Sequence, residues 1–277
     1  MSGKPWVQAE RWLRQPSSRA LLAPPARRMA PALIAVCVAV TVFLGAHFSH
    51  QGRPDRLDRA IDHRIRHALG WHHGLLELIT SIGDPVPVTV MTAALVVACL
   101  ATRRWHGAAL LAVAVPVAAA LTEIVLKPLI DRTIEGALSF PSGHTTGMFA
   151  LVGCCAVLLA GPSHPRLPAG WRVLIVLAAY LVATAVAVAL IGVGAHYFTD
   201  TVAGAAVGTA TVLLTALILD RLGRPGPRPE SQAGQPAPAN AGRHLSPASV
   251  RTAGADHAAD FSSPAPDTTR PGRPARR

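Results

Sequence analysis

Charge is what this chain lacks. Of its 277 residues only 15% are Asp, Glu, Lys or Arg, against about 25% in a soluble domain, and most of them lie in two tails. The middle is left too apolar for an ordinary water-soluble domain. Aromatics are scarce, at 5%, and no aromatic-rich basic motif of the RNA-binding kind occurs. The net charge of +11 is therefore not read as nucleic-acid binding; Arg at the ends of apolar spans sets membrane orientation instead. The four cysteines, Cys37, Cys99, Cys154 and Cys155, all fall inside apolar runs. No CxxC or Cys/His spacing suggests zinc, so they are read as packing residues. His63, His67, His72 and His73 lie on a solvated basic stretch and are not read as ligands. No metal and no cofactor is expected. A transporter would place charges midway through several spans, and only Glu123 approaches that.

What the middle does have is long apolar runs, at 31–48, 86–102, 107–126, 144–161, 173–194 and 198–219. Each approaches the ~20 residues that cross a bilayer. The expected fold is all-α, a polytopic bundle of six transmembrane helices at 31–220 between a basic tail (1–30) and a disordered Pro/Ala/Arg-rich tail (221–277). Pro24, Pro25 and Pro31 argue against a long helix before the first run. No small-x-small cleavage site ends that run, so an uncleaved span is expected rather than a signal peptide. Between the first two spans, Leu57, Ile61, Ile65 and Leu69 recur every four residues, the pattern of an amphipathic helix. Such a helix can lie on the bilayer or cap the bundle. Gly204 and Gly208 form a small-xxx-small pattern, read as close helix packing.

Six spans put both tails on one side, and 19 of the 26 Lys and Arg residues fall there. The positive-inside rule then makes that side cytoplasmic. Lys127, Arg132, the Ser142-Gly143-His144 turn, His196 and Asp200 gather on the opposite, outer face.

Those residue types suit phosphate chemistry on a lipid. A Ser-Gly-His run that opens a helix offers a hydroxyl, unpaired backbone N–H groups and the positive end of the helix dipole. Lys127 offers a point charge and Arg132 a bidentate fork. Ser142 adds a hydroxyl, and Gly143 allows close approach of its backbone. One histidine can attack phosphorus while another protonates the leaving oxygen. Asp200, four residues after His196, can orient the imidazole. Glu123 and Lys127, also four apart, can pair on one helix face.

Pro141-Ser142-Gly143-His144, His196-Tyr-Phe-Thr-Asp200 followed by Thr-Val-Ala-Gly, and Lys127-Pro128-Leu129 together resemble the type 2 phosphatidic acid phosphatase superfamily over roughly residues 75–220. The resemblance implies a metal-independent phosphoric ester or diphosphate hydrolase working through a phosphohistidine. His196 would be the nucleophile, Asp200 its partner and His144 the general acid, with Lys127, Ser142 and Gly143 as phosphate ligands. The implied substrate is a lipid phosphomonoester or diphosphate of polyprenyl, phosphatidate or phosphatidylglycerol phosphate type. Two family positions depart: the first-motif Arg-Pro falls on Ile134-Glu135, and the third-motif Arg on Leu190. Arg132, two positions early, is the expected substitute. Those departures keep open a weak or inactive lipid-phosphate-binding scaffold, beside a phosphotransferase.

Overall fold

A computed structural model describes residues 20–161 and 167–223. Trp6, Trp12, the outer parts of both tails and Pro162, Pro165 and Arg166 lie outside the described residues. Among the described residues five helices are long and apolar enough to cross a membrane, and a bent pair raises the number to six. They are α1 (Pro24–Phe48), α4 (Pro85–Ala101), α5 (Trp105–Ala120, running on through a π-helical turn, Leu121–Leu126, into α6, Lys127–Ile130), α7 (Gly143–Ala160), α8 (Ala169–Gly192) and α9 (Phe198–Leu222). α4 follows α2 (Arg56–Leu69) and α3 (His73–Ile82) at a bend of 44°. The protein is an all-α multi-pass membrane bundle, with one two-residue hairpin, β1 (Thr133–Ile134) and β2 (Ala137–Leu138).

α1 begins earlier than the proline count suggests. Pro24 and Pro25 open it, where the first N–H groups have no helical partner to lose. Pro31 lies inside it, as membrane helices tolerate. The end is pinned from α9: Asp220 accepts the N–H groups of Leu21 (2.6 Å) and Leu22 (3.2 Å) and Nη2 of Arg27 (2.8 Å).

α9 lies tightly against α7. A Cβ on Gly204 would stand 2.6 Å from the Ser142 carbonyl oxygen, and one on Gly208 2.6 Å from that of Thr146. Only glycine lets these backbones approach so closely. The contact lays the start of α7, with Ser142-Gly143-His144, against the start of α9, with Asp200.

α2 caps the bundle, with an unexpected face inward. Its buried residues are Asp58 and Asp62, while Leu57 of the apolar stripe is exposed. Two carboxylates win the buried face because the first turn of α9 offers N–H groups to them, as the next section describes.

Candidate active site

The centre of the cluster where α7 and α9 begin is Arg132, which is wholly buried. Its loop is held on both sides. The Ile130 carbonyl accepts from His50 N–H (2.9 Å), Gln51 accepts from Thr133 N–H (3.2 Å), and Arg132's own carbonyl accepts from Ser139 N–H (2.8 Å). The guanidinium lies 3.9 Å from the Phe48 ring centroid and 4.6 Å from that of Tyr197. Nη1 donates to Asp200 Oδ1 (2.5 Å) and Thr199 Oγ1 (2.7 Å), and Nη2 to Asp58 Oδ2 (2.6 Å). Asp58 also accepts from the Thr199 N–H (2.9 Å) and hydroxyl (3.0 Å). Asp62 Oδ1 takes the Phe198 N–H (3.1 Å), and Asp200 Oδ2 the Tyr197 N–H (3.1 Å). Three carboxylates thus surround one helix N-terminus, where backbone N–H groups and the dipole favour negative charge. Crowding remains: burial, then repulsion from Asp58, pushes Asp62 up to about 6.

Arg132 accordingly lines neither of two cavities at this end of the bundle. The sequence reading placed it on the substrate phosphate; the structure places it between Asp58 and Asp200, where both charged nitrogens of its fork are occupied. Ser142 is also wholly buried. It is the N-cap of α7, its Oγ accepting from Thr145 N–H at 3.4 Å and from the Thr145 hydroxyl at 3.1 Å, while its N–H donates to the Asp200 carbonyl (3.0 Å).

The other candidates meet around one cavity of about 1330 Å³, which reaches Lys127, Gly143, His144 and His196. The two imidazole centroids are 6.3 Å apart. His196 Nδ1 is buried without a hydrogen-bond partner and lies 3.7 Å from Asp200 Oδ2, near enough for Asp200 to orient the ring but too far for a hydrogen bond. Lys127 Nζ pairs with Glu123 at 2.8 Å. A Cβ on Gly143 would collide with the Glu123 carboxylate and stand 3.8 Å from Lys127 Nζ, so the glycine keeps this corner open. The hairpin turn that carries Glu135 also faces the cavity. Glu135 and Gly136 both have positive φ (51° and 84°), the two-residue turn that a tight hairpin needs.

His144 has a partner the sequence reading did not assign. Its Nε2 lies 2.9 Å from Asp84 Oδ1. Asp84 is the N-cap residue of α4, yet its side chain makes no capping bond; the carboxylate is given to the histidine instead. In the sequence, Gly83-Asp84-Pro85 has only the composition of a turn. Asp58 and Asp62 were visible only as polar positions on an amphipathic helix. Their one sequence signal is the i, i+4 spacing that sets both on one face.

From the two histidines the cavity continues as an apolar trough between α4 and α5, past Val88, Thr92 and Val96 on one wall and Ala112, Val115 and Ala119 on the other. One end is charged and the other is greasy, the shape of an amphiphile. A family model described as the PAP2 superfamily matches residues 29–224. The chain belongs to the PAP2 superfamily. Among solved structures it is similar to a transmembrane PAP2-type phosphatidylglycerolphosphate phosphatase from Bacillus subtilis. The two are 19% identical with a TM-score of 0.54, over 69% of this chain and 98% of that one. At that identity the likeness speaks for the fold of this superfamily member.

Proposed function

We propose that this PAP2 superfamily protein is a membrane lipid phosphatase that hydrolyses a lipid phosphomonoester or diphosphate through a phosphohistidine. The observation that carries the reading is the cavity, which joins two histidines and a lysine to an apolar trough. The phosphate would sit at Lys127 and at the α7 N-terminus, where Gly143 leaves room. Binding exchanges the Glu123 carboxylate on Lys127 for a phosphate oxygen. With Asp200 beside Nδ1 of His196, Nε2 is left to attack phosphorus. The bond from phosphorus to the lipid oxygen breaks, and His144 passes a proton to that oxygen. Asp84 keeps the proton on His144 until the leaving oxygen takes its place. Water then attacks the phosphohistidine, His144 accepts its proton, and phosphate leaves.

In this reading Arg132 acts through Asp200, as a positioning residue. Ser142 acts through the helix end it caps. The chain's own cation and helix dipole supply the transition-state electrostatics, so EDTA is expected to leave turnover intact. The site is assigned to the outer leaflet, with both termini in the cytoplasm, on the charge asymmetry of the loops. A cysteine in place of Ala137 should then react with an impermeant thiol reagent in intact cells; labelling only after lysis would reverse the topology.

The experiment is phosphate release from a panel of lipid phosphates by detergent-purified protein, wild type beside His196→Ala, with EDTA present. Release by the wild type alone is expected. A second reading, a lipid-phosphate-binding scaffold, draws on the resting state of Lys127, already neutralised by Glu123, and on Glu135 facing the same cavity. Lipid-phosphate binding without release from any member of the panel would select it.

A further inference from the structure

A second concavity has no part in that chemistry. It measures about 520 Å³ and lies between α2 and Tyr197, lined by Arg59, Asp62, His63, Arg66 and His67. The helical spacing of these five residues puts them on one face of α2. Among the described residues neither Arg59 nor Arg66 has a carboxylate within ion-pair reach. The acids on the same helix are already engaged: Asp58 by Arg132 and Thr199, and Asp62 Oδ1 by the Phe198 N–H. Asp62 Oδ2, however, is buried and has no partner. Asp62 itself is only 4% exposed, so this oxygen is an acceptor waiting for a donor.

Arg66 is fixed in place. Its Nε donates to the Ile191 carbonyl at 3.1 Å, and its guanidinium would lie 3.8 Å from a Cβ on Gly194. Gly194 lines the cavity of the histidines. The loop that carries His196 is therefore the wall between two separate concavities at one end of the bundle. One holds the proposed chemistry. The other offers two guanidinium groups with no carboxylate partner among the described residues, Arg66 held through its Nε alone, and one unpartnered carboxylate oxygen.

We propose that this cleft is a second phosphate-binding site, one that takes a phosphate ester carrying a hydroxyl or ammonium donor. Arg59 and Arg66 hold the phosphate oxygens, the pairing for which guanidinium geometry is best suited. Asp62 Oδ2 accepts from that hydroxyl or ammonium donor. The same chemistry occurs in a phospholipid headgroup of the adjoining leaflet and in a soluble phosphate ester. The site goes beyond the proposed phosphatase reading and stands without it.

The test is equilibrium binding to the full-length His196→Ala protein in neutral detergent, which removes turnover from the measurement. The probes are dihexanoyl phosphatidylglycerol, its phosphatidylmethanol analogue and glycerol 3-phosphate. Saturable binding of phosphatidylglycerol or glycerol 3-phosphate is expected. Adding Arg59→Ala with Arg66→Ala should raise its Kd about tenfold or more, the scale of one lost charge-assisted contact, and Lys127→Ala should leave it unchanged. Phosphatidylmethanol, which lacks the donor, should bind more weakly than phosphatidylglycerol. Binding of the lipid alone would identify a leaflet headgroup; equal binding of glycerol 3-phosphate would identify a soluble ester. Arg59→Ala alone guards against a folding artefact, because that side chain is exposed and makes no bond among the described residues. An unchanged Kd in that variant would overturn the proposal, as would a Kd that only Lys127→Ala moves, or no saturable binding at all.

Discussion

The two ends of the bundle use the same device to opposite effect. At one end Asp220 receives two backbone N–H groups and one guanidinium, and both its oxygens are satisfied. That carboxylate ties the approach to α1 onto α9. At the opposite end Asp58, Asp62 and Asp200 crowd one helix N-terminus around a single buried arginine. There an acidic oxygen stays open: Asp62 Oδ2 is without a partner, as are His196 Nδ1 and Arg132 Nε, whereas beside the Asp220 carboxylate the unpaired atom is a donor, Arg27 Nε. A saturated buried carboxylate is an anchor. A cluster that leaves polar atoms open beside a cavity has somewhere to receive a ligand.

The largest expected effect comes from removing the charge at the centre of the Asp58, Asp62 and Asp200 cluster. Arg132→Ala strands Asp58 and Asp200 in a buried place, and breaking a buried ion pair in this way costs about 3–5 kcal/mol. Thermal unfolding in detergent should show a large drop in Tm or no folded protein. A stable variant with only a raised KM would instead return Arg132 to the substrate.

Asp220→Ala should cost less, about 2 kcal/mol, since it strands hydrogen bonds made to one charged acceptor. Its kcat on a lipid phosphate should stay at the wild-type value. A loss of turnover at wild-type stability would mean that the two ends are coupled.

Next in size is Asp84→Asn, which keeps the shape and removes the charge facing His144. A fall in kcat of about tenfold, or ~1.4 kcal/mol, is expected with KM nearly constant; an unchanged kcat would reduce Asp84 to a surface partner.

Smallest is Asp62→Asn. Asp62 rises from 3.8 to about 6 on folding through burial and repulsion from Asp58, against the opposing pull of the Phe198 N–H and then of Arg66. The folded state therefore holds its proton more tightly than the unfolded state does, so this residue's contribution to stability is full below pH 4 and is lost as pH rises through 6. Asn has no charge to bury, and a rise in Tm of about 2–4 °C at pH 7, absent at pH 4, is expected. Equal Tm differences at both pH values would assign the effect to packing.

How much of this was legible in the sequence differs by scale. The spans were, because a bilayer turns local hydropathy into position. The bundle's ends shifted by only a few residues, as in α1, where prolines opened the helix. Lys127 with Glu123 was legible from i, i+4 geometry, and the Gly204-Gly208 approach from small-residue spacing. The environment of Arg132 was not. Its neighbours Asp58 and Asp200 are 74 and 68 residues away in the chain, and no local pattern tells a buried guanidinium from one that faces a phosphate. The inward turn of Asp58 and Asp62 on α2 was not legible for the same reason: their partners are the N–H groups at the start of α9, while the apolar stripe is only half-buried, with Leu57 exposed.

The sequence by itself thus determined the membrane class, the number of spans to within one bent pair, and the gathering of Lys127, Ser142-Gly143-His144, His196 and Asp200 at one end. These follow from short-range physics: hydropathy, helix period and chain direction through a bilayer. Only the tertiary structure decided which charges are spent on holding the fold and which remain for a ligand. That division depends on burial and on hydrogen-bond partners distant in the chain, and here it sequesters Arg132, gives Asp84 to His144, and leaves Arg59 and Arg66 without a carboxylate partner among the described residues.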